Sequence, residues 1–409
     1  MSAPTRAWLA RLALGAASLA LAGCGGGGGG GGSSTPPTTT TQTPPAPIVQ
    51  LAANQLAVTV EQEPDITTYI TADTPYATVT VCDALGNCST VDHVLVDTGS
   101  YGLRLFASAL SSNVQLTPML STSTGTSGQP IGECASFISS SVWGAVRIAT
   151  IQLGAMTASN VPIQIMADPT FPDKSTALPG STNGVCPNAS AKSSEQQFGA
   201  KGVLGVGMFK NDIQSYYACT TSSCTSVKPP HQVSNPVASL PTDNNGVILT
   251  LPAVSANQTT LSGVLTFGVD TQSNNQLDGY TVLQATTSGD LTATMNGASY
   301  PASFIDSGSN AYFVDLPGVT PGSDGFYDPP QLTTYPVTLS AGSVSYASNV
   351  SVQASGSQLG IAVYPYLAAP SKSKQAQDFG LPFFYGKSIA YVIESAVTSH
   401  GTGPFYAIK

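Results

Sequence analysis

Residues 93–100 read HVLVDTGS, and residues 303–309 read SFIDSGS. Each stretch is an apolar run that ends in an aspartate, followed by a small hydroxyl residue, a glycine and a serine. Asp97 and Asp306 are 209 residues apart, so each can lie in its own half of a two-lobed protein. The repeat predicts two related halves that each carry one carboxylate.

The residue types in the two stretches suit a pair of facing carboxylates. Gly99 and Gly308 lack side-chain bulk, so two backbones can approach each other closely. Hydroxyl groups that can hold the carboxylates in one orientation are those of Thr98, Ser100, Ser307 and Ser309. Two carboxylates brought together in this way cannot both ionise easily, and we expect them to share one proton.

The two stretches resemble the Asp-Thr/Ser-Gly-Ser/Thr signatures of the pepsin-like aspartic proteases. One such tetrapeptide also occurs in ordinary turns, whereas two copies in matching contexts are typical of this family. The resemblance extends from about residue 70 to about residue 400, and the chain is also similar to an uncharacterised group of proteobacterial lipoproteins with this fold. It implies an all-β, bilobal acid-protease fold with two homologous β-barrel-like lobes, a cleft between them and few short helices.

The resemblance also implies a reaction. In this family a water molecule between two aspartates attacks a peptide carbonyl, so Asp97 and Asp306 are the expected catalytic residues. One carboxylate takes a proton from the water while its protonated partner donates one to the carbonyl oxygen. No cofactor, metal ion or covalent intermediate is implied. We expect a peptide or unfolded protein as substrate and a monomer, because one chain holds both signatures.

Local patterns repeat around the two aspartates. A β-hairpin is expected to lead to each of them, and Asn296-Gly297 is a strong turn signal in the second hairpin. These hairpin strands are predicted over residues 76–81, 89–96, 291–295 and 298–305. A further hairpin in each half, over 150–161 and 337–350, contains Ala-Ser-Asn-Val. These echoes indicate internal duplication.

The remaining motifs follow the family's order and define the lobes. Residues 202–207 and 379–384 are similar to the apolar-apolar-Gly strand that passes beside each aspartate loop. Residues 263–270 and 388–393 resemble the opening and the closing stretches of the C-terminal lobe, and helical turns are predicted at 106–111 and 237–240. We therefore expect an N-terminal lobe over residues 50–240 and a C-terminal lobe over residues 241–409.

The first 49 residues predict export and a lipid anchor. Arg6 and Arg11 precede or border a short apolar stretch that ends in Leu-Ala-Gly-Cys, which looks like a bacterial lipoprotein signal over residues 1–23. Cys24 would then carry the lipid that binds the membrane; the alternative is an ordinary secretory signal with a chance cysteine. Gly25 is not the aspartate that resembles an inner-membrane retention signal, which favours the outer membrane. Residues 24–49, rich in Gly, Thr and Pro, predict a flexible tether, with the body in the periplasm or at the cell surface.

Cysteines and charge narrow the function classes further. Six cysteines remain after Cys24, which suits disulfides in an oxidising compartment. The short loops favour the pairings Cys82–Cys88 and Cys219–Cys224, which leaves Cys134–Cys186. A metal site is disfavoured because the chain has three His and no Cys-x-x-Cys pair. Only 9% of residues are charged and the net charge is −9, which argues against nucleic acid and against electrostatic docking on anionic lipid.

The resemblance departs from the family at the flap, the hairpin that closes over the cleft. Its counterpart here is residues 134–143, where Phe137 stands in place of the usual tyrosine. Trp143 either lines the cleft or packs at the base of the flap, and Tyr101 either narrows the cleft or packs beneath it. Two functions remain open: a membrane-anchored aspartic endopeptidase, or a catalytically weak or inactive pepsin-fold binding or structural lipoprotein of the cell envelope.

Overall fold

The structure, a computed structural model, describes residues 50–62, 72–137, 140–171, 186, 192–221, 223–356 and 361–409. The predicted signal peptide, the lipidated cysteine and the tether of residues 24–49 lie outside the described residues. None of the described helices is both long enough and apolar enough to cross a membrane.

Short strands make up most of the fold. In the first half they are β1 (Gln55–Glu61), β2 (Pro75–Cys82), β3 (Cys88–Asp97), β4 (Tyr101–Phe106), β5 (Thr117–Pro118), β6 (Ile131–Ser136), β7 (Ser141–Leu153), β8 (Met156–Met166), β9 (Gly202–Val206), β10 (Ser215–Cys219) and β11 (Cys224–Ser226). In the second half they are β12 (Gly246–Leu251), β13 (Thr260–Phe267), β14 (Thr281–Gln284), β15 (Leu291–Met295), β16 (Ala298–Ile305), β17 (Tyr312–Val314), β18 (Thr333–Ala341), β19 (Val344–Val352), β20 (Ala368–Pro370), β21 (Asp378–Phe379), β22 (Lys387–Val392), β23 (Val397–Thr398), β24 (Gly401–Thr402) and β25 (Phe405–Ile408).

The helices are short. Within the described part of the chain, one α-helix, α1, spans Glu195–Phe198, and single 3-10 turns span Ala107–Ala109, Pro236–Ser239 and Leu381–Phe384. Two of these 3-10 turns lie where the sequence predicts helical turns. The sequence patterns did not predict α1, the turn at Leu381–Phe384 or β25, which pairs with the predicted closing strand β22.

Four strands have the same arrangement around each aspartate. In the first half β3 is parallel to β9, β9 is antiparallel to β4, and β4 is parallel to β8. In the second half β16 is parallel to β21, β21 is antiparallel to β17, and β17 is parallel to β20. This shared topology confirms the predicted all-β, bilobal fold of two related halves.

The two halves differ in how their sheets extend. In the first half β2 pairs with both β3 and β7, so β2, β3, β9, β4, β8 and β7 close into a barrel. From β2 the sheet continues through β1, β13, β12, β22, β25 and β14, so strands of both halves share it. A second sheet has the order β19-β18-β15-β16-β21-β17-β20. The aspartate strands β3 and β16 therefore lie inside sheets rather than at their edges.

The burial of β3 explains why its aspartate is held rigidly. The first residues of β3 alternate between exposed and buried, as expected for a strand with one solvent-facing side. Val94, Leu95, Val96 and Asp97 are all buried: Val94 and Val96 pack in one apolar cluster and Leu95 packs in another, so both faces of β3 are covered there. A continuous apolar run is typical of a strand that is covered on both faces. Each of these aliphatic side chains contributes about 1.5–3 kcal/mol through burial.

The three predicted disulfides are confirmed. Cys82–Cys88 closes the turn between β2 and β3, and Cys219–Cys224 closes the turn between β10 and β11. Cys134–Cys186 attaches strand β6 to a residue 52 positions later in the chain. The first and third bridges therefore support hairpins, whereas the second fixes the hairpin that corresponds to the predicted flap.

Candidate active site

Asp97 is the last residue of β3, and its carboxylate is held by its own loop. Its Oδ1 accepts hydrogen bonds from the backbone N–H groups of Gly99 (2.8 Å) and Ser100 (3.1 Å). Its Oδ2 accepts a bond from the Ser100 hydroxyl at 2.5 Å. The side chain is almost fully buried. These three donors fix the carboxylate in one orientation, as the sequence predicts for Ser100.

Asp306 follows β16 and is held in the same way. Its Oδ1 accepts a bond from the Gly308 N–H at 2.7 Å, and its Oδ2 accepts one from the Ser309 hydroxyl at 3.0 Å. Asp306 is fully buried. The two aspartates therefore have matching supports, as expected from duplicated loops.

The side chains of Thr98 and Ser307 have a different structural role from the one that the sequence suggests. Instead of orienting the carboxylates, their side chains lock the two loops together across the lobes. The Ser307 N–H donates to Thr98 Oγ1 (2.9 Å), and the Thr98 N–H donates to Ser307 Oγ (3.1 Å). Ser307 Oγ also donates to the Val96 carbonyl at 2.7 Å. This reciprocal set of bonds fixes the distance between the loops and hence between the aspartates.

The two glycines show how closely the loops approach. A Cβ on Gly99 would lie 2.5 Å from Cγ of Asp306, and a Cβ on Gly308 would lie 2.6 Å from Oδ1 of Asp97. Each glycine therefore lies against the carboxylate of the opposite lobe. This close approach is the physical reason for glycine in both signatures.

The electrostatics of the site favour one retained proton. Burial raises the pKa of Asp306 well above its ordinary value, and the negative charges of Asp97 and then of Asp378 raise it further. The bond from the Gly308 N–H acts in the opposite direction but is smaller. A side-chain hydrogen bond with Asp97 is a smaller cause that also raises the pKa of Asp306. Such a pair can act as base and acid in one step.

The raised pKa of Asp306 predicts a pH-dependent effect of Asp306→Asn on stability. The folded state binds this proton more tightly than the unfolded chain does, so the contribution of Asp306 is favourable in acid and is lost as the pH rises through the folded-state pKa. Relative to wild type, Asp306→Asn should therefore become more stable between about pH 4 and neutrality, as urea unfolding at a series of pH values would measure.

Asp83→Asn is a control for that experiment, because the pKa of Asp83 is shifted in the opposite direction to that of Asp306. Backbone and side-chain hydrogen bonds, that of the Gln115 N–H first, lower the pKa of Asp83 to about 2. Its stabilising contribution is present at neutral pH and is lost in strong acid. The variant should thus be least stable relative to wild type near neutrality. A pH-independent difference for Asp306→Asn would contradict a buried, proton-retaining carboxyl at this position.

Tyr101 lies beside the aspartates. Its ring packs edge-on against Phe209 with the centroids 5.2 Å apart. Burial raises the pKa of Tyr101, followed by the negative charges of Asp97 and Asp306, so the phenol is neutral next to the pair. The ring also fills the space that a side chain on Gly207 would need. Tyr101 thus packs against the site as a neutral aromatic wall.

The segment that corresponds to the flap forms the β6–β7 hairpin, in which Cys134 pairs with Trp143 and Ser136 with Ser141. Residues 138 and 139 lie outside the described residues. Phe137 is buried and packs edge-on against Phe198, with the ring centroids 5.9 Å apart. Phe137 therefore supports the hairpin from inside, rather than presenting its ring to the space above the aspartates.

Trp143 packs at the base of this hairpin, one of the two positions expected for it. Its ring contacts Phe171 and Tyr217, and it belongs to a cluster that contains the Cys134–Cys186 disulfide. It also borders an open depression lined by Arg147 and Asp168 among others, but by neither aspartate of the pair. Trp143 is thus separate from the candidate site.

Two features of the site were missed from the sequence. Asp378 on β21 bonds to Ser309, which places a third carboxyl beside Asp306. It could have been found by aligning Val203-Leu204-Gly205 with Asp378-Phe379-Gly380, because an acid there replaces a buried apolar residue.

The second missed feature is a buried ionic network behind Tyr101. Arg104 on β4 donates to Glu133 on β6 (2.6 Å) and to Asp212 (2.5 Å), and it also donates to the Tyr101 carbonyl at 2.8 Å. All three charged side chains are buried. Burial raises the pKa of Glu133 well above its ordinary value, even though the Arg104 charge lowers it. The network connects the strand after Asp97 to the hairpin, and no local sequence pattern joins its members.

Among the residues that the structure describes, no group of three or more His, Cys, Asp or Glu side chains has an arrangement that could hold a metal ion.

Comparisons with known proteins found a family match and a similarity of fold. Residues 50–408 match the family described as "Protein of unknown function (DUF3443)". The fold is similar to the crystal structure of an aspartic proteinase from Irpex lacteus, with a TM-score of 0.50 and 15% sequence identity. That match covers 87% of this chain and 96% of the proteinase chain, and at this identity it shows the shared fold alone. The comparison with curated proteins found no match.

Proposed function

We propose that this chain, which belongs to the DUF3443 family, is an aspartic endopeptidase that hydrolyses peptide bonds with a water molecule activated between Asp97 and Asp306. The observation that carries the proposal is the facing pair of carboxyls, each with its opposing glycine and its own serine. A purely structural contact would not need two buried acids side by side, because burial and like charge both make their ionised forms unfavourable.

The reaction follows from the proton that the pair retains. The ionised carboxyl accepts a proton from water as the water attacks the peptide carbonyl. The protonated carboxyl donates its proton to the carbonyl oxygen, which gives a tetrahedral carbon with two hydroxyl groups. The carboxyl that took the water proton then donates it to the leaving nitrogen as the C–N bond breaks. The other carboxyl takes a proton from one of the two hydroxyls as the C=O bond re-forms. The pair ends with one proton, as it began. The charge belongs to the pair, and activity should be greatest in acid, where one proton is retained.

The substrate that this site fits is an extended peptide or an unfolded protein. A protease cleft binds main chain in extended form, and a site of neutral aromatic walls such as Tyr101 gives no electrostatic preference for a highly charged ligand. The low charge of the chain supports the same conclusion, because only 13 Lys and Arg residues are present among 409.

The proposal includes a cellular location and a membrane anchor for the protein. Residues 1–23 are a lipoprotein signal, Cys24 carries the lipid, and residues 24–49 are the tether. The N-terminal lobe (50–240) and the C-terminal lobe (241–409) form a monomeric body in the periplasm or at the cell surface, anchored to the outer membrane in preference to the inner one. The three disulfides support this location, since such bonds persist in oxidising compartments.

Cleavage of an unfolded protein tests the proposed activity. Wild-type protein, Asp97→Asn and Asp306→Asn would each be incubated with a reduced and alkylated protein at several pH values between acid and neutrality. We expect wild type to cleave best in acid and each variant to be slower by about 10²- to 10⁴-fold, the usual contribution of a general acid or base. New N-termini measured by mass spectrometry give the rates.

Asp315→Asn is the matched control. Asp315 lies in the same lobe as Asp306, is half-buried and accepts a hydrogen bond from the Tyr300 hydroxyl at 3.4 Å. It should retain wild-type cleavage. If the folded wild-type protein cleaves no substrate at any pH, or if the Asp97 and Asp306 variants cleave as fast as wild type, the proposed activity is wrong.

A binding or structural lipoprotein with the same fold is the second candidate. One observation favours it: the flap hairpin carries a buried Phe137 in place of a tyrosine, so this side chain offers a substrate no hydrogen bond. Peptide binding without cleavage, measured by fluorescence anisotropy with labelled unfolded protein, would support this candidate over the protease.

A further inference from the structure

Asp378 lies on β21, beside the strand that leads to Asp306. Its side chain is buried, and its Oδ2 is 2.7 Å from the Ser309 hydroxyl. The same hydroxyl is 3.0 Å from Oδ2 of Asp306. One serine therefore lies between two buried carboxyl groups.

The hydrogen count limits the protonation of this group of three residues. A serine hydroxyl has one proton to donate, whereas an ionised carboxylate only accepts. Ser309 can donate to one of the two acids, so the other bond forms only if the second acid is protonated and donates to the serine oxygen. A satisfied arrangement of Asp306, Ser309 and Asp378 thus contains one carboxylic acid proton.

The duplicated fold provides an internal comparison. Asp97 pairs with Gly205 of β9, and the residue two positions before that glycine is Val203. In the other lobe Ile305 pairs with Phe379, so Gly380 is the counterpart of Gly205 and Asp378 is the counterpart of Val203. Val203 is fully buried, as an apolar residue in a covered strand should be. The third acid is therefore specific to the lobe of Asp306.

We propose that Asp378 is a positioning residue that shares a proton with Asp306 through the Ser309 hydroxyl and thereby extends the activity of the site to higher pH. The role in activity rests on the proposed protease function. A negative charge next to Asp306 makes loss of its proton less favourable, so the pair retains the proton required for hydrolysis over a wider pH range.

The proton transfer within this group is balanced. When Asp306 is the acid, it donates to Ser309 Oγ, which donates to the Asp378 carboxylate. When Asp378 is the acid, the direction of both bonds is reversed. One proton has moved between two carboxyl groups, and the total charge is unchanged.

Among the described residues, the other titratable groups that interact with Asp306 are Asp97 and three phenols. Asp97 faces Asp306 directly. The phenols that interact with Asp306 are those of Tyr101, Tyr391 and Tyr406, and burial is the main cause that raises the pKa of each. They stay neutral over the range in which carboxyl groups titrate. Carboxyl–carboxyl interactions therefore govern the loss of the proton.

The pH dependence of kcat/KM tests the proposal in the full protein. In Asp378→Asn the alkaline limb of the profile should move to lower pH by about one unit, which is about a tenfold loss of kcat/KM above the midpoint. Asp378→Val, which installs the residue of the other lobe, should show the same shift and excludes an effect specific to the amide. A structural role alone would lower kcat/KM at every pH without moving the limb.

The path through Ser309 is tested in two backgrounds. In a Ser309→Ala background, Asp378→Asn should cause at most a small further shift. In a Ser100→Ala background, which removes the equivalent hydroxyl from Asp97, the full shift should remain. Equal shifts in both backgrounds would show that Asp378 does not act through Ser309 and would overturn the proposal.

A second readout separates this inference from the protease function. Carbon NMR of ¹³C-labelled aspartate carboxyls follows their titration without any substrate, with the Asp306 signal assigned by its loss in Asp306→Asn. The Asp306 signal should titrate at lower pH in Asp378→Asn than in wild type. If that shift occurs in a protein that cleaves nothing, proton sharing stands and the protease function fails. If wild type cleaves but neither the signal nor the alkaline limb moves, the inference about Asp378 fails and the protease function stands.

Discussion

Gly308→Ala is expected to remove most of the cleavage activity and to destabilise the fold. The new Cβ would lie 2.6 Å from Oδ1 and 2.7 Å from Cγ of Asp97, closer than carbon atoms can approach. Asp97 cannot easily move away, because the Gly99 and Ser100 N–H groups hold the same oxygen. The two loops must therefore separate, and a displacement of about 1 Å can lower a rate about 100-fold. The strain should lower the free energy of unfolding by about 1–3 kcal/mol.

Gly99→Ala is the symmetric variant and should behave in the same way, since its Cβ would meet the Asp306 carboxyl at 2.5–2.7 Å. Gly322→Ala is the control. Its Cβ would meet Oδ1 of Asp324 at 3.2 Å, the end of a side chain that can shift. Initial cleavage rates and urea unfolding measure both effects. Wild-type rates in Gly308→Ala would show that the loops do not need this close approach.

Arg104→Met should cause the largest loss of stability among single substitutions away from the aspartates. The guanidinium contacts Glu133 and Asp212 and is fully buried with both of them. Methionine leaves two acids buried without a cation, and removing one partner of a buried ion pair costs about 3–5 kcal/mol. Thermal and urea unfolding at neutral pH measure the loss. Cleavage should also fall, because Arg104 holds the Tyr101 carbonyl and connects β4 to the hairpin.

Acid should restore part of the stability of this variant. Burial already raises the pKa of Glu133, and without the Arg104 charge this acid binds its proton still more tightly in the folded state, so stability returns as the pH falls towards about 4. Arg147→Met is the matched control, because its bond to Asp168 has the same length (2.6 Å) but Arg147 is partly exposed. It should lose about 1 kcal/mol or less. Equal losses in the two variants would show that burial of the Arg104 network is not what makes it important.

Much of the fold is predictable because the duplicated patterns are local. The hairpins before Asp97 and Asp306 alternate as strands with one solvent-facing side do, and Asn296-Gly297 forms the turn of the second one. Gly154 and Gly342 both have positive φ in the turns of the hairpins predicted over residues 150–161 and 337–350. This requirement explains why both copies of that hairpin have a glycine at the turn. Two disulfide pairings followed from short loops, and the third was the pair of cysteines left over.

The contacts that build the site are not local. Thr98 and Ser307 lie 209 residues apart, so nothing in either stretch shows that their hydroxyls bond to the opposite backbone instead of to the carboxylates. Arg104, Glu133 and Asp212 belong to separate strands and loops. In the sequence each of them is an isolated charged residue, so no local pattern indicates that they form a network. The sequence analysis missed Asp378 because the C-terminal motif was identified by Gly380. The acid two positions before that glycine was not compared with Val203, its counterpart in the other lobe.

The position of Phe137 shows a further limit. Its place in the chain identified the hairpin correctly, because the spacing back from Gly154 is a property of strands β6 and β7. The direction of its ring depends on Phe198, which lies on α1 about 60 residues later. Side-chain direction at a strand end is thus decided by tertiary packing, which a single sequence does not encode in any local pattern.

The proposed function requires the two lobes to hold the carboxyls of Asp97 and Asp306 around one solvent molecule. A crystal structure at about 1.2 Å resolution, from crystals grown in acid, tests this most directly. We expect one ordered water within about 2.6–3.2 Å of an oxygen of each carboxyl, the reach of a general base, with the Thr98–Ser307 bonds intact. Carboxyls that bind separate waters in separate pockets, or loops that lack the reciprocal bonds, would contradict the account.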